Sequence, residues 1–163
     1  MRRVGFQGGS SIFELGSTAD MRCFFSAISE VRPHITDSEV FLDELFCRYV
    51  SAGKLDSIET GVRELRALFS EMTCSPEVLL GLGWRPGNGL LNERAKTLLE
   101  LFAGYLDALE HCLYSVRAML EDWQIFKPIR IVVTDMPEYL KFKNMPLSQY
   151  DELRSSEVPI WLR

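Results

Sequence analysis

His111 and Cys112 stand side by side, a base next to a thiol, and would be a natural start for a nucleophilic site. Helical neighbours, however, point about 100° apart. The apolar periodicity around them places Cys112 in a buried stripe and His111 on the polar side, so the two cannot readily share a proton. His34, directly after Pro33, reads as a loop residue and not as a general base. The sequence holds no HExxH, GxSxG or paired-carboxylate signature. On these residues no enzymatic activity is expected.

Metal and phosphate chemistry fare no better. Cys23, Cys47, Cys74 and Cys112 are widely spaced, without a CxxC pair. Cys23, Cys47 and Cys112 fall among apolar residues, where a thiol acts as a small hydrophobe. Reduced cysteines, no metal and no cofactor are expected. Gly5-Phe6-Gln7-Gly8-Gly9-Ser10-Ser11 lacks the lysine that a P-loop sets on phosphates and joins a strand to a strand, so it reads as a hairpin turn.

Two features suit recognition of another protein. Trp84 and Arg85 sit in a glycine-rich loop, and both residue types are enriched at binding hot spots. The alternative is that Trp84 folds back on the core and Arg85 is solvated. Separately, Glu93, Glu100, Asp107, Glu110 and Glu121 fall within roughly a third of the circumference of one long helix, opposed there by Lys96 and, at the edge, Arg117. Such an acidic stripe is either a solvated face or a surface for a basic partner. Glu100, Asp107 and Glu110 are the candidates on it.

The elements that must position these residues follow from pattern. Val4–Gln7 and Ile12–Leu15 flank the glycine turn as a β-hairpin. Gly16-Ser17-Thr18 offers caps for a helix to about Glu30, with Met21, Phe24, Phe25 and Ile28 at helical spacing. Thr36-Asp37-Ser38-Glu39 has capping-box form ahead of a deeply buried helix to about Ser51. Asp56 or Ser57 then caps a surface helix with the stripe Ile58, Val62, Leu65, Phe69 and Met72, on which Glu59 and Arg63 can pair. Ser75-Pro76-Glu77 opens a short helix that runs into the loop from Gly81 to Gly89. From about Asn92 to Asp122 a long helix carries Leu98, Leu101, Phe102, Tyr105, Leu109, Cys112, Leu113, Val116 and Leu120. Ile129–Thr134 is β-branched and reads as a strand pairing with the hairpin. A short helix around Leu147–Leu153 and an extended piece at Pro159–Leu162 complete the chain.

The expected fold is α+β: an N-terminal hairpin plus one later strand in a small antiparallel or mixed sheet, packed on several helices including one long one, as a single domain over residues 1–163. With 163 residues, 47% of them hydrophobic, such a domain can bury a core without staples. A net charge of −5 argues against a nucleic-acid backbone binder and suits attraction of a basic protein. The arginines at the N-terminus are not followed by an apolar h-region, and no uncharged run of membrane-spanning length occurs, so a cytoplasmic chain without a membrane partner is expected.

Val4-Gly5-Phe6, Gly9-Ser10, Glu14-Leu15-Gly16-Ser17 and Phe24-Phe25-Ser26-Ala27-Ile28-Ser29 resemble the opening of the immunity protein 70 family of bacterial polymorphic-toxin systems. Ser75-Pro76, ahead of a loop with Trp84 and Pro86, is similar in order and spacing. The likeness covers about the first half of the chain; from Asn88 onwards the pattern departs. The resemblance implies a cytosolic protein that binds a cognate toxin domain and blocks it stoichiometrically, and it transfers no partner-contacting residue. Two other classes stand beside it: a small enzyme, such as a hydrolase reversing a toxin's modification, and a homo-oligomeric adaptor built on the long helix.

Overall fold

The hairpin forms because Gly9 adopts a left-handed backbone (φ 57°) between two β-prone runs. Its strands are β1 (Arg3–Gly8) and β2 (Ser11–Ser17), paired antiparallel with a bulge between Val4 and Gly5. A third strand, β3 (Arg130–Val133), pairs antiparallel with β1, so the sheet order is β2-β1-β3 and the first strand is the middle one. These elements belong to a computed structural model that describes residues 2–135, 146–153 and 157–163. The sheet is antiparallel throughout, the simpler of the two arrangements the sequence allowed.

Ser17 ends β2 and caps α1 (Thr18–Glu30). Its hydroxyl accepts from the Asp20 N–H, and the Asp20 carboxylate accepts from the Ser17 N–H, which satisfies two free donors at once. The inner face of α1 buries Met21, Phe24, Phe25 and Ile28. Beneath it lies a cluster of edge-to-face rings in which Phe24 meets Phe6 at 6.3 Å and Phe102 at 5.2 Å.

The next segment departs from its pattern. No capping box forms at Thr36–Glu39, because the Thr36 N–H and hydroxyl both turn to Glu64 and Asp37 pairs with Lys54 at 3.0 Å. Instead of a helix to Ser51, Val40–Leu45 makes a π-helical turn that buries Val40, Phe41 and Leu45. The surface helix α2 (Leu55–Ser70) starts at Leu55 without a side-chain cap, since Asp56 reaches across to Arg117. Its stripe of Ile58, Val62, Leu65 and Phe69 is buried as periodicity requires.

After α3 (Pro76–Gly81), capped by Ser75, comes the longest element, α4 (Leu98–Trp123). It begins six residues later than the pattern suggests. The Cys74 N–H bonds the Lys96 carbonyl and the Leu98 N–H bonds the Met72 carbonyl, holding residues 96–97 extended against the end of α2, and Thr97 then caps the helix. Glu93 and Lys96 therefore lie before α4 and not on it. Leu109, at the centre of the apolar stripe, is fully buried, and α4 packs on α2 and on β1 and β2. Gln124, in a left-handed conformation (φ 52°), ends it.

The short helix α5 (Leu147–Asp151) lies where it was expected, while Ile160–Leu162 is a 3₁₀ turn and not an extended piece. Buried Trp161 donates its indole N–H to the Phe46 carbonyl at 2.9 Å, which tethers this end. Among the described residues no helix is long and apolar enough to cross a membrane.

Candidate functional site

Trp84 belongs to the interior. Only 3% exposed, it donates its indole N–H to Asp20 Oδ1 at 2.8 Å. Asp20 is fully buried and also accepts from the Leu90 N–H (2.8 Å) and the Ser17 N–H (2.8 Å), while the Ser17 hydroxyl donates to the Asn88 carbonyl. The glycine-rich loop is thereby clamped onto the junction of β2 and α1. Approach is close: a Cβ on Gly89 would sit 1.8 Å from Asp20 Oδ1, and one on Gly16 would sit 2.5 Å from Asp20 Oδ2. The hydroxyl of Tyr105 lies in the same pocket with no hydrogen-bond partner among the described residues, and burial first, then the Asp20 charge, pushes its pKa up. Arg85 is exposed on the outer side of the loop. Trp84 thus offers no surface, and of the loop pair only Arg85 does.

The acidic candidates lead to a different face. Glu100 is occupied with the start of α4: its carboxylate accepts the Lys96 N–H at 2.7 Å, and its own N–H bonds the Thr97 hydroxyl. Asp107 and Glu110, one turn apart, both receive Arg66 from α2, at 2.7 and 3.0 Å. The reciprocal fork lies further along, where Arg117 of α4 reaches Glu59 at 2.6 Å and Asp56, again one turn apart, on α2. Each of the two antiparallel helices therefore grips an acid pair of the other with one arginine. Glu59 spends its charge on Arg117 and not on Arg63, as its own helix had suggested, and this contact holds its carboxyl below the ordinary value.

Between the forks runs a groove of about 370 Å³, with Leu113 in its floor and Arg63 and Tyr114 on its walls. Tyr114 is 78% exposed, the most exposed large hydrophobic side chain among the described residues. Arg63 is exposed and forms no salt bridge among the described residues, although its charge also helps to lower the Glu59 carboxyl. No protein-family model, curated protein or solved structure matches this chain. The α2/α4 face is accordingly assigned from its own geometry. Asp107 and Glu110 were legible as exposed acids; Asp56 was read as a helix cap and Glu59 as a partner of Arg63, while Arg66 and Tyr114 were given no role. The regular one-turn spacing of both acid pairs was visible, but which arginine meets which pair depends on how α2 and α4 align.

The thiols stand apart from this face. All four cysteines are free. Burial pushes Cys23 up to about 12, with the Asp20 charge adding to it, and burial alone takes Cys112 to about 12. Both are held as inert thiols. His111, exposed as its position implied, stacks on Phe13 at 5.5 Å and not toward Cys112. Among the described residues no three His, Cys, Asp or Glu side chains gather as metal ligands.

Proposed function

We propose that this chain is a toxin-neutralising inhibitor of the immunity type, which docks a cognate toxin domain on its α2/α4 face and blocks it one to one in the cytosol. Tyr114 carries the reading. A tyrosine left 78% exposed on the wall of a helix–helix groove, beside an arginine that forms no salt bridge with the described residues, combines two of the side-chain types most enriched at binding hot spots. Tyrosine also orders at little entropic cost, since it has two rotatable bonds.

The surroundings support that role. Arg66 and Arg117 fix the bordering carboxylates in place, so Asp56, Glu59, Asp107 and Glu110 present a preformed rim whose outer oxygens remain open to a basic partner. The class of partner comes from the resemblance to immunity protein 70. Of the residues that carry the resemblance, Gly16, Ser17 and Trp84 meet at Asp20.

Co-expression with the product of the adjacent gene tests this function. The expected result is a one-to-one complex, with protection complete only when the inhibitor is at least equimolar. Protection by a substoichiometric amount would replace binding with turnover, and a purified toxin-like neighbour that forms no complex would reject the proposal.

A further inference from the structure

A second groove lies between α1 and the π-helical turn and shares no lining residue with the first. Arg22, Phe25, Ser26, Ser29, Leu42 and Phe46 line an open hollow of about 250 Å³. Its floor is aromatic: Phe25 and Phe46 meet edge to face at 5.1 Å, and Phe46 in turn meets Trp161 at 5.4 Å. Its polar wall belongs to α1. Arg22, Ser26 and Ser29 recur at i, i+4 and i+7, so they share one face of that helix.

None of these three side chains makes a hydrogen bond or salt bridge with the described residues. The two acids of the π-helical turn are engaged elsewhere: Asp43 pairs with Arg48, and Glu44 accepts the Ser51 N–H. One guanidinium and two hydroxyls thus converge, uncommitted, above a ring-lined floor. The π-helical turn borders the hollow: its Phe41 and Leu45 are buried while Leu42 and the following Phe46 line the groove, and such turns recur at functional sites.

We propose that this groove binds a small anion carried on an aromatic body, a carboxylate or a phosphate monoester. A planar guanidinium offers paired donors to either head group, and the serines add further donors. The ring of the ligand packs edge to face on Phe25 and Phe46. The hollow admits one ring with its head group and no folded peptide. The site is independent of the α2/α4 face, and the failure of either leaves the other standing.

Titration of the ¹⁵N-labelled protein with phenyl phosphate, phenylacetate and, as a neutral control, benzyl alcohol tests the proposal. Saturable shifts are expected at the Ser26 and Ser29 amides and at the Trp161 indole, which reports through Phe46. The two anions separate phosphate from carboxylate preference. Arg22→Gln, at an exposed position, keeps the remaining spectrum and weakens binding about tenfold or more, whereas Arg22→Lys falls between. Saturation by neither anion, equal shifts from benzyl alcohol, or unchanged affinity in Arg22→Gln would each overturn it. Ser26→Ala gives a second check, with a smaller loss expected and a wild-type affinity contradicting a role for that hydroxyl.

Discussion

The junction at Asp20 and the α2/α4 face are both built from carboxylates and their donors, and they differ in water. At the junction one buried carboxylate accepts three N–H groups, one from the end of β2 and two from the glycine-rich loop and the residue that follows it, and the Ser17 and Trp84 donors are buried with it. On the face, four carboxylates share two arginines in the open, and each pair competes with water. The first arrangement holds the loop, hairpin and helix in one geometry. The second contributes little to stability and leaves charge available to a partner. Similar chemistry therefore serves architecture in one place and, in the function proposed above, recognition in the other.

The sharpest way to break this contrast is at the junction. Asp20→Ala leaves the Trp84 indole, the Leu90 N–H and the Ser17 N–H without acceptors, and is expected to cost about 3–5 kcal/mol in a reversible denaturant titration. A loss below about 1 kcal/mol would show that water satisfies these donors and that the junction is not a lock.

Leu109→Ala calibrates the apolar interior beside it. Truncating a fully buried leucine costs about 2–5 kcal/mol, and a smaller change would mean that α4 repacks without its central side chain.

Charges on the face are expected to matter least to folding. Arg66→Ala removes a partly exposed fork and is expected to cost at most about 1 kcal/mol. At the other fork the reporter is titration. Arg117 lowers the folded-state pKa of Glu59, so the contribution of that contact is present above the ordinary carboxyl value and is lost as pH falls through the lowered one. Arg117→Ala should move the Glu59 carboxyl titration, followed by ¹³C NMR, up toward the ordinary carboxyl value. An unmoved titration would contradict the fork.

Much of this architecture could be read from local pattern. The hairpin, the Ser17 cap, the β-branched third strand and the buried side of α4 follow from residue spacing, because each is decided by neighbours a few positions away. The fate of Trp84 was not, since its acceptor Asp20 lies 64 residues earlier. The start of α4 was set by hydrogen bonds to residues 72 and 74, and ahead of the π-helical turn Thr36 and Asp37 are engaged by Glu64 and Lys54 from later in the chain. At the face, exposure of Asp107 and Glu110 was legible from periodicity. Their neutralisation by Arg66 was not, because it is fixed only when two helices come into register. Tyr114 carried no mark at all, being one aromatic residue among many until the structure left it outside.

The association of the purified protein with the product of the adjacent gene, compared between wild type and Tyr114→Ala by stopped-flow and dissociation kinetics, tests the docking face most directly. Tyr114→Ala is expected to melt as wild type does, since its side chain is solvated, yet to bind about 30-fold more weakly, mainly through faster dissociation. A correctly folded Tyr114→Ala that binds with wild-type affinity would contradict the assignment of the α2/α4 face.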